Sequence, residues 1–396
     1  MDMSSLKKYE KAIYLCTTCR DGGCGILCPS FEILGFEANT PRGKMRIARA
    51  LLEGRLEITE PLVRRIYTCT GCGYCATRCS NNPHDVMRAL RSHLIEAGRA
   101  HYGAASAAES LRKNHNPAFR PHEERFDWLP EELRAPRKAE VVFFVGCYGG
   151  HNIHIHWVAQ TIVKILDKTG VKWTTLGLDE WCCGEVMGQL GMPDLADEFV
   201  KHNVNAINRA VKNLGVSRVV CQCPGCSHVL KHYPRRLGLT LDAEVLHITE
   251  LYSELIKEGR LKFKESKKTY AYHDACLLGR WQGVYEAPRA IIKAIPEAKL
   301  VEMEPRTRDF SLCCTGDVRR WGASAGYGIA LDRFYYDFSE GLVRRRLKAA
   351  KESGAETLVS TCVGCHRSFV GGSYQRARRE DLDLLQISTL VADLMI

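Results

Sequence analysis

Nineteen cysteines in 396 residues, and the intervals between them, constrain this chain more than any other feature. Eight lie between Cys16 and Cys79, none between there and Cys147, and eleven from Cys147 to Cys365. Cys69, Cys72, Cys75 and Cys79 form C-x2-C-x2-C-x3-C. In that spacing three thiolates wrap one face of an iron–sulfur cubane and the fourth reaches a neighbouring cluster. A structural zinc site would use C-x2-C pairs far apart. The earlier group, Cys16, Cys19, Cys24 and Cys28 followed by Pro29, is C-x2-C-x4-C-x3-C-P. Its two extra residues fall in Arg20-Asp21-Gly22-Gly23, where glycine lets the backbone bulge outward. Crossover pairing then puts Cys16, Cys19 and Cys24 with Cys79 on one 4Fe-4S cubane, and Cys69, Cys72 and Cys75 with Cys28 on a second. Ser80 stands where proline usually follows the last cysteine.

Thiols used this way need a reducing compartment. The start, MDMSSLKKYEKAIYL, has neither the apolar stretch nor the small-residue cleavage site of a secretory signal, so a cytoplasmic location is expected and a disulfide framework is not. Val141 to Val145 is among the longest apolar runs. It is far short of the roughly 20 residues of a membrane helix, so any membrane attachment is expected through a partner. The net charge of +10 is spread among interleaved acidic and basic residues. It reads as a solvated basic surface that leaves acidic partners and anionic substrates open, and no aromatic-interleaved basic motif suggests nucleic acid.

Residues 1–100 read as a helical unit. Met45, Ile47, Ala48, Leu51 and Leu52 recur near the 3.6 period within Arg42 to Leu56, after a helix start at Thr40-Pro41. Residues 101–137, with Asn116, Pro117, Pro121, Pro130 and Pro136 among mixed charges, read as a connecting segment. Beyond them Glu140 to Val145, Arg218 to Val220, Thr269 to Tyr272 and Thr357 to Ser360 are strand-like, each at or just before a cysteine or histidine. Ile153 to Thr169 and Leu195 to Leu214 read as helices. Alternating strands and helices predict α/β units with parallel strands.

That second part repeats itself. Cys147, Cys182-Cys183 and Cys223-Pro-Gly-Cys226 are matched by Cys276, Cys313-Cys314 and Cys362-Val-Gly-Cys365, a duplication that places one module at 138–265 and another at 266–396. One buried cysteine is ordinary packing, but two copies of the same five-cysteine order are not. Five thiolates per copy exceed what a tetrahedral zinc ion needs, which favours a polynuclear iron site. Cys221 is left over and is expected in the core.

On these residues the modules resemble the CCG domains of heterodisulfide reductase, and the whole chain resembles the form with a helical ferredoxin subunit fused ahead of the catalytic subunit. The resemblance implies a helical ferredoxin domain followed by a duplicated α/β domain. It also implies two cubanes passing single electrons to two noncubane 4Fe-4S clusters that flank and cleave a disulfide. Carried over by motif, Cys147, Cys182, Cys183, Cys223 and Cys226 hold one noncubane cluster; Cys276, Cys313, Cys314, Cys362 and Cys365 hold the other. Two departures stand out. Cys313-Cys314-Thr315-Gly316-Asp317 puts Thr315 where the family has glycine, bringing a side chain toward the cluster or substrate, and His273-Asp274-Ala275-Cys276-Leu277 departs from His-Asp-Pro-Cys-His.

Other side chains offer chemistry. His273, three residues before Cys276, is a candidate catalytic proton donor to a departing thiolate, with a core histidine the alternative. His151, His154 and His156 follow Cys147, the first two at helical i, i+3 spacing, and read as helix surface, with a substrate or proton role the alternative. Arg280, Arg319 and Arg320 are candidates for an anionic thiol or disulfide substrate, with a solvated face the alternative. Gly184 and Gly188 in GEVMG form no phosphate loop, and no flavin or nicotinamide motif occurs, so a two-electron donor is expected on a partner. Two functions follow: a disulfide reductase, or an electron-transfer subunit serving a flavoprotein, a ferredoxin-like protein, an acyl-CoA reductase or a membrane cytochrome or quinone partner. Related modules serve both.

Overall fold

The computed structural model describes residues 3–316, 333–371 and 382–396. Its N-terminal unit is built of helices that leave cysteines at their ends. Cys16 closes into the helix Glu10–Thr18, Cys28 caps the helix Pro29–Leu34, and Cys75 sits in the helix Tyr74–Arg78. Between the two cysteine groups runs Pro41–Leu52, which starts as sequence chemistry dictates: Thr40 Oγ1 accepts the Gly43 N–H at 2.9 Å, and Pro41 occupies the first turn. Met45, Ala48 and Leu51 are buried on one stripe, packed toward Glu10–Thr18 and Pro83–Glu96. Met45 and Leu51 each contribute about 1.5–3 kcal/mol, and the Ala48 methyl less than about 1 kcal/mol. The helix stops earlier than the apolar pattern through Leu56 implies, because Gly54 turns the chain in the left-handed region.

Residues 101–137 hold more structure than their prolines predict. Tyr102–Asn114 is a helix whose Ala104, Ala107, Ala108 and Leu111 bury a narrow face in the N-terminal core. The alanines at i, i+3 and i+4 let the helix lie close to its neighbours, and Leu111 at i+7 anchors the end of that face.

Two four-stranded parallel sheets follow. In the first, β1 (Val141–Phe144), β2 (Trp173–Thr174), β3 (Arg218–Cys221) and β4 (Glu244–His247) lie in the order β2-β1-β3-β4. In the second, β5 (Thr269–His273), β6 (Lys299–Val301), β7 (Thr357–Ser360) and β8 (Asp383–Gln386) repeat that order as β6-β5-β7-β8. Registers repeat as well: Phe144 pairs with Cys221, and His273 pairs with Ser360. The central strands β1, β3, β5 and β7 are buried on both faces and rich in Val, Phe and Tyr, as parallel strands covered by helices require, while the outer strands β6 and β8 are partly exposed.

The two modules share one core. Helix His156–Lys168, which follows β1, packs on Ile387–Leu394, which follows β8; Ile248–Lys257, after β4, packs on Glu286–Lys293, after β5. Ile162, Leu166, Leu251, Tyr252, Ile291 and Leu390 meet there, and Tyr252 Oη donates to Ser388 Oγ across the seam at 3.2 Å. This reciprocal exchange of helices turns the carboxyl ends of both sheets toward a common space.

Candidate metal centre

Cysteines gather where the strands end. Cys147 follows β1 on the short helix Gly146–His151, and Cys276 follows β5. Cys223 and Cys362 are the N-caps of Pro224–Arg236 and Val363–Val370, with Cys226 and Cys365 in the first turns. Cys182-Cys183 and Cys313-Cys314 arrive on loops. All ten line one open cleft of about 730 Å³, together with Thr70, Glu185 and Gly316. This is the crevice beyond the carboxyl ends of parallel strands, and helix N-termini there favour negative charge.

Their sulfurs touch. Cys314 Sγ lies 2.9 Å from Cys365 Sγ, and hydrogen-bonding contacts join Cys182 to Cys147 and Cys183, Cys183 to Cys226, Cys276 to Cys313, and Cys362 to Cys365. Across the modules Cys362 contacts Cys223. The hydrogen bond to Cys313 and then burial push the Cys276 thiol well above its ordinary range. Cys226, Cys362 and Cys365 are pushed up likewise, whereas the hydrogen bonds with Cys182 and then Cys226 bring Cys183 down to about 7; so many soft sulfur donors in one cleft fit iron–sulfur ligation. Among the described lining residues Glu185 is the one carboxylate.

In the N-terminal unit Cys28, Cys69, Cys72 and Cys75 line a second cavity of about 380 Å³ with Lys44 and His84. Cys79 is brought beside Cys16, Cys19 and Cys24, and burial followed by repulsion from Cys24, Cys79 and Cys19 pushes Cys16 up to about 11. Cys24 also neighbours Cys28. The two cavities meet at Thr70, and Cys72 makes a hydrogen-bonding contact with Cys313 of the second module. The Trp281 ring closes this junction: a Cβ on Gly73 would fall 2.5 Å from it.

Several expected residues have other surroundings. His273 is buried, with Nδ1 accepting from Arg346 Nε at 3.0 Å and a ring nitrogen within 4.8 Å of the Cys314 and Cys365 sulfurs. Burial and the Arg346 charge hold it neutral, well below its ordinary pKa. Arg280 is half-buried rather than a solvated face: its guanidinium donates to the carbonyls of Cys72 (2.8 Å), Asp309 and Ser311 (2.7 Å), pinning the N-terminal loop to the second module. Arg319, Arg320 and Asp317 lie outside the described residues. His151 is buried, contrary to a helix-surface reading, because its helix ends there and Arg125 covers it; burial and Arg125 push its pKa down to about 2. His154 is exposed and His156 half-buried.

Thr315 is fully buried with φ of +63° and does not line the cleft; its Oγ1 donates to the Cys314 carbonyl at 2.6 Å. What it presents is backbone, since its N–H lies 3.3 Å from Cys313 Sγ. The expectation of a side chain projecting toward the site is thereby corrected. Cys221 is buried in β3. Reading the residues one at a time missed Lys44 and Glu185. Lys44 carried a signal, a charge on the apolar stripe at i, i+4 and i+7 with Ala48 and Leu51.

A helical thiol-rich head and two parallel-sheet modules converging on one cysteine-lined cleft define an iron–sulfur oxidoreductase component. The 4Fe-4S dicluster domain family matches residues 12–82, and the cysteine-rich CCG family matches 141–231 and 270–370. The D component of the dihydromethanophenazine:CoB–CoM heterodisulfide reductase of Methanosarcina mazei is 33% identical, over 96% of this chain and 93% of its own length. The chain belongs to the family of that heterodisulfide reductase component and binds iron–sulfur clusters. The EtfAB:quinone oxidoreductase of Syntrophomonas wolfei is 30% identical over 65% of this chain and 37% of its own. A crystal structure of a hypothetical protein from Helicobacter pylori shares the fold, with a TM-score of 0.57 at 12% identity over 99% of this chain and 76% of its own. Among the described residues no helix is long and apolar enough to cross a membrane.

Proposed function

We propose that this chain is the disulfide-cleaving subunit of an electron-transfer complex. It would take single electrons from a partner at Cys16, Cys19, Cys24 and Cys79 and carry them inward through Cys28, Cys69, Cys72 and Cys75. The observation that carries this reading is that all ten module cysteines line one cleft while Cys72 contacts Cys313. By this proposal the two N-terminal groups hold cubanes, and each module's five cysteines hold a noncubane cluster. Clusters held there supply one-electron transfer. A disulfide in the cleft then takes up two electrons and two protons and leaves as two thiols.

The protein's own residues set the order. Cys313 meets the N-terminal cavity and Cys362 meets Cys223, so sulfur-to-sulfur contacts run from the N-terminal unit to the second module and on to the first, while the first module also packs on the N-terminal unit through Cys182, Val186 and Met187. His273 serves this cleft as a fixed hydrogen-bond donor rather than as a store of protons. With Nδ1 occupied by Arg346, the ring hydrogen sits on Nε2, and the guanidinium opposes a second proton.

A second reading, a pure carrier with no disulfide substrate, is favoured by Glu185. Among the described residues its buried Oε2 has no hydrogen-bond partner, and a carboxylate there is a poor neighbour for an anionic ligand in the cleft. The test is electron paramagnetic resonance of the oxygen-free protein with added thiols. A new signal on oxidation with thiol, lost in Cys313→Ala and in Cys182→Ala, is expected of the reductase. Spectra indifferent to thiol would leave only the carrier. Further, Cys182→Ala should leave the second module reducible, whereas Cys313→Ala should stop electrons at the N-terminal unit.

A further inference from the structure

One buried charge in the N-terminal unit has no ionic partner among the described residues. Lys44 is 1% exposed. Its Nζ donates to the Asn39 carbonyl at 2.9 Å, and among the described residues no carboxylate lies within ion-pair distance of it. It lines the cavity of Cys28, Cys69, Cys72 and Cys75. An ammonium withdrawn from water with one carbonyl for company costs several kcal/mol unless an anion answers it. The outer group is arranged differently. The cation beside Cys16 and Cys24 is Arg42, whose charge is answered by Glu37 at 3.2 Å and by solvent, and Cys19 is exposed.

We propose that Lys44 is the built-in counter-cation of the inner N-terminal cluster and raises its reduction potential above that of the outer one. The proposal rests on the ligand grouping given under Proposed function. The electrostatics follow directly. A cluster held by four thiolates is anionic and becomes more so on reduction, and burial alone disfavours that added charge. Without compensation the inner site would be the harder to reduce, and electrons would stall at the surface. An adjacent unscreened ammonium favours the reduced form and reverses the order. Arg91, also buried, spends its guanidinium on the carbonyls of Gln189 and Cys69 and adds positive charge on the same side.

The test is a potentiometric titration of both N-terminal clusters, followed by paramagnetic resonance, in the wild type, Lys44→Gln and Arg46→Gln. Arg46 lies on the same helix but is exposed and paired with Glu37, so it controls for the loss of a charge. Lys44→Gln is expected to keep its iron and sulfide. Its inner one-electron equilibrium should move about tenfold toward the oxidised form, or about 59 mV, with Arg46→Gln and the outer cluster unmoved. An inner potential in Lys44→Gln that shifts no more than in Arg46→Gln overturns the proposal. Should Lys44→Gln load no inner cluster, Lys44→Arg is expected to restore it at close to the wild-type potential, and its failure to do so would reject the counter-cation role. A wild type with no cubane on Cys28, Cys69, Cys72 and Cys75 would instead refute the ligand grouping, a result visible in the iron count before any potential is measured.

Discussion

The two cysteine-rich modules share a strand order, a register and a five-cysteine plan, yet the ground beneath their cysteines differs. In the first, Gly184 follows the cysteine pair at φ of +96°, and buried Glu180 accepts the N–H groups of Val145 and Gly146 at 3.1 and 2.7 Å. In the second, Thr315 holds a left-handed conformation that β-branched residues avoid, His273 replaces the Phe144 of the matching strand position, and Asp274 is clamped by Arg289 at 2.7 and 3.0 Å. The second module is also the one whose Cys313 meets Cys72. Duplication thus conserved the thiols and the sheet, while the surroundings diverged at the module facing the incoming electron path.

That contrast is sharpest at Arg289. It binds Asp274 and Glu302 together while 1% exposed, so Arg289→Met takes a bidentate cation from a buried carboxylate, leaving it the Arg308 N–H and the Thr307 hydroxyl, and should cost about 3 kcal/mol. Arg125→Met in the first module should cost less, because Arg125 stands 3.7 Å from the Glu180 carboxylate without the bidentate contact Arg289 makes, and Glu180 keeps two backbone donors. Unfolding midpoints of the two variants check this, and equal losses would dissolve the asymmetry.

Acid should expose the next difference. The His273 pKa is held well below its ordinary value, whereas the unfolded chain takes up that proton near pH 6.5. Below that pH the unfolded state binds more protons, so stability falls as pH falls, by at most about 1.4 kcal/mol per pH unit from this one group. Above it the group contributes no pH dependence. His273→Phe, which copies the first module, should flatten the stability–pH curve below pH 6.5, although losing the Arg346 contact lowers the curve as a whole. A curve parallel to wild type would show that the ring titrates normally.

Smallest is the effect at the loop. Thr315→Gly removes a left-handed β-branched residue and should stabilise the protein by about 1 kcal/mol. The reverse change, Gly184→Thr, places a Cβ 3.0 Å from the Ala196 carbonyl at a still less favourable φ and should destabilise it by about 1–3 kcal/mol. Thermal melts of the pair check both signs.

Much of this was legible in the sequence because thiol spacing and strand periodicity are local signals. The strand-like runs reappear as β1, β3, β5 and β7, which carry unbroken apolar stretches. Their edge neighbours β2 and β6 have two and three residues, too few to show a period. Helix Tyr102–Asn114 was hidden because its buried face is mostly alanine, which no hydrophobic stripe advertises. The burial of His151 and the service of Arg280 to three carbonyls depend on segments far away in the chain. No local pattern encodes such contacts.

The most direct measurement is the iron, sulfide and zinc content of protein prepared without oxygen, with Mössbauer spectra to separate cluster types. The expected result is two cubanes with two further clusters that vanish one at a time in Cys182→Ala and Cys313→Ala. A colourless protein, or zinc in place of iron at the module cysteines, would contradict the assignment of the cleft.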